Sequence, residues 1–320
     1  MSRRRGRGCL VWLGRAALAV VGLALAGTVY EALAERADAK AYPPPGQLVD
    51  VGGHRLHIHC TGAGGPTVVI EAGLGDWSTS WGGQVQPGVA KVTRVCVYDR
   101  AGMGWSEPGP LPRDAAQQAV ELHTLLQNAG IPGPYIMVGH SLGGLIVRVF
   151  THEYPAEVAG VVLIESMNPK QLDQSPEVLA RAGSKSQPFS FQAVLARIGV
   201  ARLLVKLPFI APAMPPGDEA YYPLYILPKN LQATDNEGQA MPVSAAQAAA
   251  VKTFGDLPLI VLTARLNSRQ VWQEWQAELP QLSSNSLHLF AEHSGHGVQL
   301  DEPEAAVGAI TQMVERVREK

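Results

Sequence analysis

The stretch YIMVGHSLGG at residues 135–144 is the most informative part of the sequence. An apolar run leads into Gly-x-Ser-x-Gly and then into helix-forming residues, so it predicts a strand, a tight turn and a helix. A serine on such a turn projects above the sheet, and Gly139 and Gly143 give the strained backbone small neighbours. The amide of Leu142 begins the helix and could bind a developing oxyanion. Ser141 is therefore the candidate nucleophile, and a strand–helix turn without chemistry is the competing interpretation.

Apolar runs on both sides of this stretch alternate with helical patterns. The first two runs flank Gly52-Gly53 and predict a hairpin. Most of the later runs are apolar at nearly every position, which suits parallel strands buried on both faces. The runs lie at 48–51, 55–60, 67–71, 94–98, 135–139, 160–165, 257–263 and 287–291, and helical periodicity covers 115–129, 142–153, 268–279 and 303–318. This alternation predicts an α/β fold whose mostly parallel sheet has helices on both faces.

The stretch from Asn168 to about Ala250 interrupts the alternation. It holds helical pieces at 191–207 and 245–252 and a proline-rich centre, but no convincing strand. Because a structureless loop of that length is improbable in a compact domain, we expect a helical insertion at about 168–250 within a domain at 46–320, most simply a cap over an active site. Its apolar segment 203–213 suggests either a hydrophobic part of the substrate or ordinary packing.

Residues 1–45 differ in composition from the rest. Arginines precede the apolar run Cys9–Tyr30, which only Arg15 interrupts, and a proline-rich spacer at 41–47 follows. This pattern is typical of an export signal, either an uncleaved membrane anchor or a cleavable signal with a site at residues 24–26 (ALA). Both interpretations put the folded domain outside the cytoplasm, anchored to the membrane or secreted into the periplasm or medium. A cytoplasmic N-terminal helix is the third interpretation.

The charge of the chain bears on its partners. The formal net charge is −2 although residues 1–45 are net basic, so the folded domain is net acidic. It has no obvious basic face for phosphate backbones, which argues against nucleic acid as a partner.

Three motifs in chain order give the sequence a family resemblance. They are YDRAGMGWS at 98–106, GHSLGG at 139–144, and HSGHG at 293–297 with DEP at 301–303. With these motifs, residues 46–320 resemble the α/β-hydrolase superfamily in its capped, lipase/esterase-like branch. The resemblance implies an eight-stranded sheet, a helical cap and a serine hydrolase that needs no metal or organic cofactor.

The resemblance favours His296 as the general base. The family's histidine typically follows a small residue and precedes an acidic–proline pair, as His296 does. On a glycine-flanked loop after the last strand, its imidazole can take the proton of Ser141. His293, three residues earlier, is the local alternative.

The acid of the triad is less clearly marked. The family's commonest position follows the seventh strand, where residues 263–268 (TARLNS) contain no carboxylate. Glu165 ends the sixth strand, a placement that resembles haloalkane dehalogenases with a glutamate at this point. There it could hold the Nδ1–H of His296. The nearest substitutes are Asp256 and Glu274, and a structural role in binding loop amides is the other interpretation of Glu165.

Two further roles follow from the resemblance. Aligning Gly73 with the glycine of the family's oxyanion motif makes the N–H of Leu74 the second oxyanion donor, beside that of Leu142. Asp99 and Arg100 are expected to brace loops beneath the site, although Arg100 could also contact substrate.

Cys60 and Cys96 lie on the second and fourth strands. The family's strand order makes these strands neighbours, so the resemblance implies a disulfide in an oxidising compartment. Two buried free thiols are the alternative.

These assignments predict acyl transfer to water through a Ser141 acyl-enzyme. The expected partner is a small, partly hydrophobic, ester-like molecule, with lactones, N-terminal peptide bonds and lipid esters as variants. Serine at the turn argues against dehalogenase or epoxide hydrolase chemistry, which uses a carboxylate nucleophile. A non-catalytic binding or scaffold protein on the same fold is the alternative from another class.

Overall fold

A computed structural model describes residues 2–172, 190–205, 221–267 and 269–319. Its strands are β1 Gln47–Asp50, β2 Arg55–Thr61, β3 Thr67–Glu71, β4 Val95–Tyr98, β5 Tyr135–His140, β6 Val158–Ile164, β7 Leu259–Ala264 and β8 Ser286–Ala291. They form one sheet in the order β1-β2-β4-β3-β5-β6-β7-β8. β2 pairs antiparallel with β1 and β4, and the remaining pairs are parallel. The predicted eight-stranded, mostly parallel sheet is confirmed.

The helices, in chain order, are α1 Ser2–Ala41, α2 Thr79–Gly82, α3 Val85–Val89, α4 Ala115–Asn128, α5 Leu142–Glu153, α6 Phe191–Arg197, α7 Val200–Leu204, α8 Tyr222–Tyr225, α9 Pro228–Ala250, α10 Gln270–Glu278, α11 Val298–Asp301 and α12 Pro303–Arg318.

The central strands of the sheet are buried on both faces. Successive residues of a strand point to opposite faces, and in β3 Val69 packs into one hydrophobic cluster while Val68 and Ile70 pack into the other. α4, α5 and α9 cover the first face, and α3 and α12 cover the second. Strands in this environment are apolar at most positions, which is why nearly continuous apolar runs located them.

The insertion between β6 and β7 differs from the predicted helical pieces. The helix expected over 191–207 is two helices, α6 and α7, because Gly199 between them has φ +74°. The piece expected at 245–252 is the end of α9, which begins at Pro228 and continues through Pro242. Proline removes a helical hydrogen bond and normally interrupts a helix, so the sequence predicts only the part of α9 that follows Pro242.

Tertiary contacts hold α9 together across its proline. Ser244 Oγ accepts the N–H of Ala115 at 3.0 Å, and Glu237 forms an ion pair with Arg100. Among residues 165–172, 190–205 and 221–258 the structure contains no strand, and most of the predicted apolar segment 203–213 lies outside the described residues. The cap and its bounds at 168–250 stay a prediction.

The proline-rich spacer contacts the folded body. Trp105 Nε1 donates to the carbonyl of Tyr42 at 2.8 Å, and the Tyr42 and Tyr221 rings lie 5.9 Å apart. The helix before it contains a segment, Val11–Ala41, that is long and apolar enough to cross a membrane. The division of the chain at residue 45 stays a prediction.

Cys60 and Cys96 face each other across the β2–β4 pair and form a disulfide, with their Cα atoms 4.0 Å apart. The predicted pairing is confirmed.

Candidate active site

Ser141 lies on the turn between β5 and α5. Its backbone has φ +51° and ψ −120°, a strained conformation for a residue other than glycine. The neighbouring glycines are required by close packing, because a Cβ on Gly143 would lie 2.4 Å from the carbonyl oxygen of Glu71. One on Gly139 would lie 2.8 Å from the carbonyl oxygen of Gly143. The structure thus has the strand, turn and helix that the motif predicts.

His296 approaches Ser141 from the loop after β8. Its Nε2 lies 3.0 Å from Ser141 Oγ, within hydrogen-bonding distance. The ring packs edge-on against Trp272 and remains 45% exposed. A base in this position can take a proton from the serine and return it to a leaving group.

The acidic pair after His296 shapes its loop. Asp301 Oδ2 accepts the N–H of Gly295 at 3.0 Å, and Glu302 Oε2 accepts the N–H of His293 at 2.7 Å. His293, the alternative general base, therefore has its backbone N–H bound to Glu302, and its side chain is exposed.

His140 fixes the same loop from the nucleophile's side. Its Nε2 lies 2.8 Å from the carbonyl oxygen of His296, so this nitrogen carries a proton and donates it. Burial, with the neighbouring His296 ring, lowers the pKa of His140 to about 4. The side chain is accordingly neutral at physiological pH.

Glu165 lies at the carboxyl end of β6 and is fully buried, with φ +44°. Its Oε2 lies 3.2 Å from His296 Nδ1 and accepts from Asn267 Nδ2 at 3.0 Å, while Oε1 accepts the N–H of Ala264 at 2.7 Å. Asn267 occupies the loop after β7, where the family commonly has its acid, and it binds this carboxylate instead. Asn267 is not predicted as a site residue from the sequence, where the only signal is an amide side chain at that position.

The two substitute acids lie elsewhere. Asp256 is exposed and lies just before the start of β7. Glu165 lies just after the end of β6, which runs parallel to β7, so the two carboxylates lie at opposite edges of the sheet, about 20 Å apart along the strands. Glu274 is exposed on α10, where it accepts from Gln270 at 3.1 Å.

The predicted oxyanion donors lie beside the nucleophile. A Cβ on Gly73 would lie 3.3 Å from Ser141 Cβ and 2.9 Å from His140 Nδ1, so this turn passes directly over the serine. The N–H of Leu74 belongs to that turn. Leu142 is the first residue of α5, where a helical N–H has no carbonyl a turn earlier to bind.

Arg100 holds the turn that carries Leu74. Its Nη2 donates to the carbonyl oxygen of Gly73 at 2.6 Å, and its Nη1 donates to that of Ala72 at 2.7 Å. The Gly73 carbonyl and the Leu74 N–H belong to one planar peptide group. The guanidinium therefore fixes the direction in which the N–H points.

Arg100 is itself held by two buried carboxylates. Glu237 of α9 binds it through both oxygens at 2.7 and 2.8 Å, and Glu71 accepts at 2.8 Å and also hydrogen-bonds Tyr98. Burial alone would lower the pKa of Arg100, but Glu237 and Glu71 raise it well above its usual value. The sequence does not predict that Glu237 binds Arg100, because the stretch around Glu237 has no clear helical periodicity.

Asp99 braces the neighbouring loops. Its carboxylate accepts from His57 Nδ1 at 2.9 Å and from the N–H groups of Ser78 and Trp105, each at 3.0 Å. Burial opposes ionisation, but these hydrogen bonds outweigh it and lower the pKa of Asp99.

Comparisons with known proteins agree with this architecture. An uncharacterised Bacillus subtilis protein, YqjL, is 26% identical over 255 residues, which cover 77% of this chain and 82% of that protein. For two other relatives that are 35% and 30% identical, the match covers only 18% and 33% of their length.

Solved structures show the same fold. An esterase from Thermogutta terrifontis has a TM-score of 0.62 at 19% identity, covering 85% of this chain and 98% of that one. The epoxide hydrolase CorEH has a TM-score of 0.63 at 18% identity, with 85% and 99% covered. The family model for the alpha/beta hydrolase fold matches residues 66–303. The chain therefore belongs to the α/β-hydrolase family.

Proposed function

We propose that the protein is a serine hydrolase that cleaves a carboxylic ester through an acyl-enzyme. The observation that carries the proposal is one hydrogen-bonded series, with Ser141 Oγ 3.0 Å from His296 Nε2 and His296 Nδ1 3.2 Å from Glu165 Oε2. A nucleophile, a base and an orienting acid in this arrangement form a catalytic triad. The order Ser141, Glu165, His296 along the chain is the usual one for this fold.

In the first half of the reaction, Ser141 Oγ attacks the ester carbonyl carbon while its proton passes to His296 Nε2. The carbonyl oxygen becomes an oxyanion that accepts from the N–H groups of Leu74 and Leu142. The carbon–oxygen bond to the alcohol then breaks, and the alcohol leaves with the proton from His296. Water repeats these steps on the acyl-enzyme and releases the carboxylic acid and free Ser141.

Glu165 stays ionised throughout and does not receive the proton. By accepting from Nδ1–H it leaves Nε2 as the basic nitrogen, and its charge stabilises the imidazolium. Ala264 N–H and Asn267 Nδ2 also donate to this carboxylate and keep it in place.

Serine chemistry distinguishes the proposal from that of some structural neighbours. Epoxide hydrolases and dehalogenases of this fold use a carboxylate nucleophile and form an alkyl-enzyme on it, whereas the candidate nucleophile of this protein is the hydroxyl of Ser141. A carboxylic ester is thus the default substrate, with a partly hydrophobic acyl or alcohol group.

We further propose that the folded domain lies outside the cytoplasm, anchored by α1 or secreted. The apolar span of α1 and the Cys60–Cys96 disulfide support this location, because disulfides persist in oxidising compartments.

Hydrolysis of p-nitrophenyl acyl esters and labelling by a fluorophosphonate test the proposal. We expect the wild type to be labelled and to turn over at least one acyl chain length, and Ser141→Ala to lose both activities. Ser166→Ala is the matched control, since Ser166 is also buried and close by, and it should keep both. A correctly folded wild type with neither activity would favour a non-catalytic binding protein.

A further inference from the structure

The second half of α1 packs tightly against the α6–α7 helix pair of the insertion. A Cβ on Gly27 would lie 2.1 Å from the carbonyl oxygen of Ile198, so the two backbones are in direct contact there. A Cβ on Gly199 would lie 3.0 Å from the ring of Tyr30. The turn between α6 and α7 therefore has one defined position along α1.

A buried ion-pair cluster strengthens this contact. Arg202 of α7 donates to both carboxylate oxygens of Glu31 at 2.8 and 2.9 Å and lies 2.8 Å from Asp38. Glu31 is only 2% exposed. Breaking such a pair would leave a buried charge uncompensated, so the helix pair and α1 should move as one unit.

The contact lies where α1 would leave a bilayer. At about 1.5 Å per residue, Val11 to Tyr30 spans roughly 30 Å, the thickness of the hydrocarbon core. Gly27 and Tyr30 then lie at the outer edge of that core, where tyrosine is favoured. Because Ile198 and Gly199 contact α1 at these residues, the turn is held at the same depth.

The helix pair presents apolar side chains that are exposed in the part of the chain that the structure describes. Phe191 is 73% exposed and Leu203 57% exposed, and Val194 and Leu204 are also exposed. Val194 and Leu203 each lie four residues from the turn, or about 6 Å along their helices. The headgroup layer is about 5–8 Å deep, so both positions fall within it.

We propose that the α6–α7 helix pair is a membrane-contact element whose exposed apolar side chains lie in the outer headgroup layer of the bilayer that α1 spans. This part of the insertion would then be held against the membrane surface. The inference rests on the membrane anchoring proposed above and is independent of whether the protein hydrolyses esters.

Depth-dependent fluorescence quenching in vesicles tests this placement. In the full chain carrying Cys9→Ser, single cysteines replace Leu203, Val194, Leu18 in the span, or Val120, an exposed apolar control on α4. Each is labelled with an environment-sensitive dye after reconstitution into phosphatidylcholine vesicles, with or without lipid bearing a nitroxide near the headgroup end of the acyl chain.

We expect the labels at positions 203, 194 and 18 to be quenched roughly twofold or more relative to the label at position 120. Quenching at position 18 with none at 194 and 203 would overturn the membrane contact and leave the anchor standing. Absence of quenching at position 18 would overturn both. Neither result depends on turnover, so failure of the proposed hydrolysis is detected separately.

Discussion

Replacing Glu165 with glutamine changes one oxygen of the candidate site to an amino group and leaves the size of the side chain unchanged. Oε1 accepts a fixed backbone N–H from Ala264 at 2.7 Å, so the amide oxygen of glutamine must occupy that position. The amino group then faces His296 Nδ1, whose N–H donates to Glu165 Oε2 at 3.2 Å in the wild type. Two donors cannot face each other.

The imidazole resolves this conflict by changing its tautomer. Nδ1 becomes the acceptor and Nε2 carries the proton, so His296 can no longer take a proton from Ser141. The same change in a serine protease triad lowers kcat about ten-thousandfold. We expect a loss of that order, equivalent to about 5 kcal/mol of transition-state stabilisation, with KM much less affected.

The assay is hydrolysis of the best p-nitrophenyl ester, with kcat and KM measured separately and the fold checked by circular dichroism and thermal unfolding. Asp256→Asn and Glu274→Gln make the same chemical change at the two exposed acids. Both controls should keep nearly full activity, since neither carboxylate contacts His296 among the described residues.

Two results would refute this reasoning. One is a folded Glu165→Gln variant that keeps more than about a tenth of the wild-type kcat, since a histidine in the wrong tautomer cannot give that rate. The other is a larger loss from either control, which would move the acid of the triad away from β6.

Three further predictions concern the surroundings of the site. In Arg100→Lys, the lysine cannot bind two carbonyls and two carboxylates together, so the peptide group between Gly73 and Leu74 loses its fixed orientation. Because the N–H of that peptide is the proposed oxyanion donor, kcat should fall about tenfold to a hundredfold with little change in KM. Burial lowers the pKa of His140 from 6.5 to about 4, so the unfolded chain binds its proton first as the pH falls. The free energy of unfolding should therefore decrease between pH 6.5 and 4, by up to roughly 3 kcal/mol, and thermal unfolding of His140→Gln should show a shallower decrease. Cys96→Ser, which opens the disulfide to Cys60 across a separation of 36 residues, should cost about 4 kcal/mol, measured by denaturant unfolding against the oxidised wild type.

The sheet was predictable because its strands are buried on both faces. Every position of β3, β4, β5 and β7 is buried, and most of these positions are apolar because both faces of the strands are covered. The insertion was less predictable because tertiary contacts override local preference there. Pro242 stands inside a helix held by Glu237 and Ser244, and neither contact can be inferred from sequence spacing.

The candidate site divides in the same way. The positions of Ser141 and His296 follow from local motifs, since the turn needs small residues beside the serine and the histidine loop needs its acidic pair. Glu165 could be proposed only from the resemblance, because its proximity to His296 depends on three parallel strands ending at one edge of the sheet. Asn267 reaches it for the same reason.

The sequence by itself determined the elements whose cause is local, namely buried strands, a glycine-flanked serine turn and an apolar N-terminal helix. Only the tertiary structure decided which distant groups meet: Glu165 with His296, Arg100 with the turn that carries Leu74 and with α9, and the second half of α1 with the α6–α7 pair. The reason is physical. Periodicity and turn chemistry act over a few neighbouring residues, whereas hydrogen bonds between strand ends and helix faces depend on register and packing, which no short stretch of sequence encodes.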